Sequence, residues 1–359
     1  MSAANEPFRR LVFAGQAIVD VVMDVPALPE RGGDMLASSS TVTAGGGFNT
    51  MAAAARQGLP VLYAGGHGTG PWGDVVRAAL AAEGIGVLRP ADPDRDTGFD
   101  MVLVDSGAER TFVTHVGAES VPGPGGWDMV PSGPGDAVYV SGYGLVPPDS
   151  GADLGAWAAA LPPEVLLFVD PGPLVTQIPA TVLGPVLARC DWLSCNQREA
   201  ALLTGTASAT ELGSPAGSTA ELGGPADLAG PGDPPPAEPG RLAGQGRAEA
   251  PEPDEAARRL LARTGRADVI VRAGAAGCYV ALRAAGDPVL VPAPRVTAVD
   301  TTGAGDAHSG VFLAAIAEGR APLDAAGIAN AAAALSVTHR GPATSPTHPE
   351  LAAIVCDSW

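Results

Sequence analysis

The stretch DTTGAGDAHSG, residues 300–310, sets two carboxylates, Asp300 and Asp306, on either side of a glycine turn, and an apolar run from Val311 to Ile316 follows at once. The run predicts a buried helix that begins at the turn. A helix N-terminus presents unpaired backbone N–H groups and a partial positive charge. Gly303, Ala304 and Gly305 have little or no side chain to keep a ligand away from it, so they read as an anion cradle. Asp306, expected at the first helical position, would repel a resting phosphate. It suits a general base that takes the proton of an attacking hydroxyl while the cradle stabilises a transferring phosphoryl group. The same residues also fit an ordinary N-cap, because Asp and Thr are common at helix starts.

The whole chain sets limits on this reading. With 359 residues, 46% of them hydrophobic and 17% charged, it can bury a large core as a soluble globular protein. A formal net charge of −18 repels nucleic acid and anionic membranes, so neither is expected as a partner and a small ligand is. All 21 basic residues are arginine. That excludes the P-loop and the protein-kinase site, both of which place a lysine on the nucleotide phosphates. Cys190, Cys195, Cys278 and Cys356 form no Cys-x-x-Cys pair and read as buried, reduced thiols of a cytoplasmic protein. The N-terminal apolar stretch, broken by Gly15, Gln16 and Asp20, reads as a first β-strand and not as a membrane span or signal peptide.

LVFAG (11–15), VLYAGG (61–66), AVYVSG (137–142), VLLFVD (165–170), DWLSCN (191–196) and DVIVRAG (268–274) have the continuous apolar character of parallel strands buried on both faces. Between them lie NTMAAAARQG, DVVRAALAAEG, EAALLTG and PDEAARRLLARTG, with helical spacing and glycine near the C-terminal end. The expected class is α/β, a three-layer α/β/α sandwich on a mostly parallel sheet. Residues 17–43 and 97–116 instead alternate apolar and polar, like half-exposed antiparallel strands of a small β-lid. Residues 205–253, poor in large apolar side chains and dense in Pro, Gly, Ala and Ser, read as a low-complexity, disordered insertion in a single domain spanning 1–359.

A second glycine cluster, AGGGFNTMAAAARQG (44–58), also feeds a helix, and Asn49 in its first turn can both give and accept hydrogen bonds, as a polyol requires. A plain strand-to-helix turn fits it equally. GTGPWG (68–73) matches Gly-x-Gly-x-x-Gly, but Pro71 and Trp72 block close pyrophosphate approach, and no strand ending in an acidic ribose ligand follows.

Taken together, Asp20, GGGFN (45–49), NQRE (196–199), RAGAAG (272–277) and DTTGAGD (300–306) resemble the PfkB-type carbohydrate kinases of the ribokinase-like superfamily, in the family's order and over nearly the whole chain. The resemblance implies transfer of the γ-phosphoryl of ATP, with Mg2+, to a hydroxyl of a small sugar or sugar acid. It makes Asp306 the base and Gly303, Ala304, Gly305 and Asp306 the anion hole. It assigns Asp20, Gly46, Asn49 and Asp300 to sugar hydroxyls, Asn196 and Glu199 to magnesium and phosphates, and Arg272, Gly274, Gly277 and Asn330 to the nucleotide. SVTHRGPATS (336–345) resembles a monovalent-cation loop, which makes Asp300, Thr302, Ser336, His339, Gly341 and Ser345 candidate K+ neighbours. Ribokinase resembles Gly-Gly-Lys-Gly-Ala-Asn where this chain has Gly46 in the lysine slot and Phe48 in the alanine slot, which points away from ribose itself. His308 reads as a packing side chain. Arg110 and His115, on the lid, could meet a substrate carboxylate or phosphate, or form a solvated strand face. A homodimer through the lid is a further implication. A nucleoside kinase and a catalytically silent sugar-binding protein also fit the resemblance, though a silent relative has no need of Asp306.

A chain lacking residues 206–250 is expected to keep its thermal midpoint and its turnover, because the segment has little apolar surface to bury. Unfolding or inactivity of that deletion, in melting and ADP-release measurements, would show the segment to be structural.

Overall fold

The computed structural model describes residues 8–107, 109–123, 125–205 and 251–358, so nearly all of the expected insertion lies outside the described residues. The first part of the chain forms β1 (Arg10–Ala14), β2 (Ala17–Asp24), β3 (Ser39–Gly46), α1 (Phe48–Arg56), β4 (Val61–Tyr63), α2 (Pro71–Ala82), β5 (Gly86–Val87), β6 (Phe99–Val104) and β7 (Arg110–His115). Next come β8 (Asp136–Ser141), α3 (Gly142–Leu145), α4 (Pro148–Ala159), β9 (Leu166–Asp170), α5 (Ala180–Arg189), β10 (Trp192–Asn196) and α6 (Gln197–Thr204). After the insertion lie α7 (Pro253–Arg263), β11 (Asp268–Arg272), β12 (Cys278–Ala281), β13 (Val289–Val291), α8 (Ala304–Ala317), α9 (Pro322–Ser336) and α10 (His348–Ser358).

Nine strands form the main sheet in the order β13-β12-β11-β10-β9-β8-β1-β4-β5. All pairings from β11 to β5 are parallel, and β12 and β13 close one edge antiparallel. The apolar runs become strands because both of their faces are covered. Leu11 and Phe13 join one core with α1, α8 and α9, while Val12 and Ala14, pointing the other way, join a second core with α4 to α7. These two cores are the interfaces of a three-layer sandwich.

α8 is apolar on nearly all sides and therefore has to be buried, which its place against α1 and α9 achieves. Gly310 makes the approach to α1 possible. A Cβ there would overlap the Thr50 carbonyl oxygen and stand 2.8 Å from Ala53 Cβ and 3.0 Å from Ala54 N.

The lid is a separate four-stranded sheet, β3-β2-β6-β7. Its outer pairings are antiparallel as expected, but its central pair, β2 and β6, is parallel. The chain leaves β3 for the body, passes through α1, β4, α2 and β5, and re-enters beside β2 in the same direction. Strand alternation places Val19, Val21, Phe99 and Met101 on the body and turns Asp20 and Asp100 to the opposite face. At the lid's root, Asp96 accepts from the Trp72 and Gly73 N–H groups at 3.0 and 2.8 Å, and Glu119 accepts from Gly98 and Gly117 at 2.7 and 2.8 Å. The GTGPWG glycines belong to this anchor. A Cβ at Gly68 would overlap the Arg95–Asp96 backbone, and one at Gly70 the Asp96 carboxylate.

Gly310→Ala is expected to separate α1 from α8 and cost about 1–3 kcal/mol of stability, since the atoms it would strike include backbone that cannot swing away. A lowered denaturant midpoint at unchanged slope is the signature. An unchanged midpoint would mean that the two helices separate freely.

Candidate active site

The parallel strands deliver their last residues to one edge. Asp170 ends β9, Asn196 ends β10 and Arg272 ends β11, with Asn196 and Arg272 in register. Arg272, only 14% exposed, donates from Nη1 to Asp170 Oδ2 at 2.8 Å, Ser194 Oγ at 2.5 Å and Ser309 Oγ at 3.4 Å, and its Nη2 lies 3.6 Å from Glu199 Oε2. Burial alone would lower the guanidinium pKa, but Asp170 and Glu199 hold it above its ordinary value. Asn196 and Glu199 form a capping box on α6. Asn196 Oδ1 accepts from Glu199 N at 2.9 Å, and Glu199 Oε2 accepts from Asn196 N at 2.8 Å. Burial and then Asp170 push the Glu199 carboxyl up to about 7, against the pull of Arg272.

α8 begins at Ala304, with Gly303 as its N-cap, so Asp306 is the third helical residue and not the first as the sequence suggested. Gly303 has φ +72°, a left-handed turn that glycine adopts freely. Among the described residues the N–H groups of Gly303, Gly305 and Asp306 find no acceptor. A Cβ on Gly305 would lie 3.4 Å from Arg272 Nε, so the guanidinium backs the cradle. α1 fixes the Asp306 side chain: Thr50 Oγ1 donates to Oδ1 at 2.8 Å and Asn49 Nδ2 to Oδ2 at 3.3 Å. Burial, and secondarily Asp170, push Asp306 up to about 6, while Thr50, Asn49 and Arg272 restrain the rise. A carboxylate with this pKa is ionised at neutral pH yet basic enough to accept a proton.

Asp20 reaches the site from the lid, packed so closely on Gly45 that a Cβ there would overlap its carboxylate. Gly46 follows at φ +58°, turning the chain toward Asn49. Burial, Asp100 and Asp306 push Asp20 up to about 7.

Asp300 Oδ1 accepts from Thr302 N at 2.8 Å and from Arg110 Nη2 of the lid, and Oδ2 accepts from Gly341 N at 3.0 Å. Burial acts upward on its pKa, but the two backbone donors and Arg110 outweigh it and hold the carboxyl below its ordinary value. Arg110 is thus a partner of Asp300, while His115 is exposed with its ring 5.5 Å from Phe99. The structure brings Asp300, Thr302 and Gly341 together, and Val337 O accepts from the Asp300 N–H at 3.1 Å, so the 336–341 turn lies against Asp300. Ser336 O accepts from Thr344 Oγ1 at 2.9 Å, Ser345 O accepts from Arg56 at 2.8 Å, and the exposed His339 ring bonds within its own turn.

Asn330 donates to Val291 O at 2.9 Å, and Gly277, at φ +105°, also packs on that carbonyl, so both brace β13; Gly274 turns at φ +58°. His308 is buried against Phe312, and burial next to Arg272 pulls its pKa down to about 3, so it packs as a neutral ring. Thr50, Asp100, Asp170, Ser194 and Ser309 were not singled out from the sequence. Asp170 was readable as the polar end of an apolar strand, and Thr50 as the neighbour of Asn49. Asp100 emerges only from strand register.

Asp170 and Glu199 pair with Arg272, and with Asp306 nearby the site carries more carboxylate than guanidinium charge, a chemistry that suits a hard divalent cation. No three His, Cys, Asp or Glu side chains among the described residues converge as a metal cage, so such an ion would depend mainly on phosphate and water oxygens.

A family model described as pfkB family carbohydrate kinase matches residues 9–221 and 239–349. An uncharacterized sugar kinase, YegV, of Escherichia coli is 30% identical over 95% of this chain and 92% of its own length. A ribokinase of Arabidopsis thaliana is 26% identical over 95% of this chain and 79% of its own. In fold, the chain is similar to the crystal structure of Thermotoga maritima ribokinase, with TM-score 0.72 and 21% identity over 97% of this chain and 99% of that one. It is also similar to Burkholderia thailandensis nucleoside kinase in complex with inosine, with TM-score 0.69 and 19% identity over 98% and 97% of the two chains.

Arg272→Met is expected to destabilise the protein by about 3–5 kcal/mol, because Asp170 and Glu199 would lose their shared cation. Adding Asp170→Asn to that variant should recover part of the loss in denaturant titrations; a purely additive double variant would show that the two groups are uncoupled.

Proposed function

The chain belongs to the pfkB family of carbohydrate kinases, and on that premise we propose that it transfers the γ-phosphoryl of ATP to a hydroxyl of a small sugar, with Asp306 as general base. One observation carries this reading. Asp306 stands in the first turn of α8, oriented by Thr50 and Asn49, beside backbone N–H groups that have no acceptor among the described residues. A capping aspartate would turn its carboxylate onto those N–H groups; this one is held by α1 and kept available.

In the proposed reaction Asp20 and Asn49 orient the sugar, and Asp306 accepts the proton of the attacking hydroxyl on a carboxylate oxygen. The N–H groups of Gly303, Gly305 and Asp306 stabilise charge on the transferring phosphoryl. Arg272, behind Gly305, adds a fixed positive charge, while Asn196 and Glu199 organise the phosphate side. Mg2+ carried with ATP would neutralise phosphate charge as the leaving oxygen departs. Gly274, Gly277 and Asn330 shape the nucleotide side.

A nucleoside acceptor is the second reading, supported by the similarity in fold to a kinase solved with inosine. Exposed Leu36, Val42 and Val113 on the lid and its connecting loop support a homodimer through that sheet. Cys190, Cys195 and Cys278 are free buried thiols, which supports action in a reducing compartment such as the cytoplasm. No helix among the described residues is long and apolar enough to cross a membrane.

Turnover is expected in an ADP-release assay with ATP, magnesium and potassium against pentoses, hexoses, sugar acids and nucleosides. Asp306→Asn should melt like the parent yet lose about 10²–10⁴ in kcat. In the parent, kcat/KM should fall as pH drops through about 7 to about 6, where the Asp20 and Glu199 carboxylates and then Asp306 become protonated. An Asp306→Asn variant of near-normal kcat, or a flat acidic limb, would remove the role given to this residue.

A further inference from the structure

Asp100 has no part in the reaction described above, yet it stands beside Asp20. The parallel register of β2 and β6 pairs the two residues directly, and the flanking registers add Thr43 and Thr114, so one row, Thr43-Asp20-Asp100-Thr114, crosses the lid face opposite the one that carries Val19, Val21 and Met101. The Thr114 hydroxyl stabilises the Asp100 carboxylate on one side, but Asp100 Oδ1 is buried without a partner. Asp20, 8% exposed, accepts no hydrogen bond from any described residue. Asn49, 5% exposed, spends its amide N–H on Asp306 and leaves its buried Oδ1 without a donor.

Two buried acceptors without donors, Asp100 Oδ1 and Asn49 Oδ1, in the neighbourhood of the unbonded Asp20 carboxylate are costly in the free protein and call for donors on the ligand. Sugar hydroxyls supply them. The local charge narrows the choice further. Asp100 and Asp306 lie close enough to Asp20 to act on it electrostatically, and the two arginines described at the site are already engaged, Arg110 by Asp300 and Arg272 by Asp170. We propose that Asp20 and Asp100 act as a paired acceptor for two neighbouring hydroxyls of an uncharged sugar, and that Asp100 is the specificity residue that turns away sugar acids and sugar phosphates. This rests on the sugar-kinase reading of the site. Burial already raises Asp100, and burial with Asp100 and Asp306 raises Asp20 to about 7; a substrate anion would add to the same repulsion. Of the two acceptor classes, sugars and sugar acids, the geometry therefore favours the neutral one.

The test compares matched pairs, hexoses against their uronates and fructose against fructose 6-phosphate, in the parent and in Asp100→Asn. It reads ADP release and, separately, binding by calorimetry. The parent should favour the neutral member by about tenfold or more in kcat/KM. Asp100→Asn should narrow that ratio, with more of its effect on KM than on kcat. Equal or better use of the acids by the parent, or an unchanged ratio in the variant, would overturn the proposal and leave the kinase reading standing. Selective, Asp100-dependent binding of neutral sugars without turnover would support it and remove the kinase reading. Absence of binding to the whole panel would overturn the proposal, while the wider panel of pentoses and nucleosides decides the kinase reading. If Asp100→Asn does not fold, the ratio in the parent decides.

Discussion

Everything at the candidate site depends on how closely α1 and α8 approach each other. Gly310 removes the one side chain that would hold them apart, and the gap it closes lets Thr50 and Asn49 reach Asp306 across the helix interface. Both helices start at glycine turns, so the same contact aligns two N-terminal ends and brings the loops at 44–49 and 300–306 together. The carboxylate of Asp306 is consequently set by packing in the core and not by its own flexible turn. The other half of the site is fixed in a different way, by the carboxyl ends of parallel strands meeting at Arg272. The two halves join where Arg272 lies under Gly305.

Most of the fold could be read from the sequence because parallel strands buried on both faces leave an unmistakable trace. LVFA and VLLFV are apolar without alternation, and each is bounded by glycine, proline or a polar residue. The lid segments were also visible through their alternation, but not the direction of their pairing. Whether β6 runs with or against β2 depends on the route the chain takes through the body between them, and no local residue encodes that route.

The site was legible wherever backbone conformation demanded a particular residue. Gly303 and Gly46 occupy left-handed turns, and Gly45 yields space to Asp20, so the two glycine clusters marked real constraints. Networks joined through space were not legible. Asp170, Ser194 and Ser309 meet at Arg272 from three separate elements, and Asp100 meets Asp20 only through register. Arg110 and Asp300 show the same limit from the other side: each looked available for a ligand, and each is the other's partner. The GTGPWG glycines followed the general rule that glycine marks close approach, in this case to the root of the lid and not to a nucleotide.

The Arg110–Asp300 pair joins the edge of the lid sheet to the first residue of the DTTGAGD turn, while Gly341 N–H donates to the other oxygen of the same carboxylate. Opening the lid would therefore do more than admit solvent. It would carry a positive charge away from the mouth of the cradle and leave Asp300 to its backbone donors alone, and closing it would bring that charge back. On the proposed kinase reading, entry of the acceptor and assembly of charge at the mouth of the cradle would then be one mechanical event, and departure of the product would undo both.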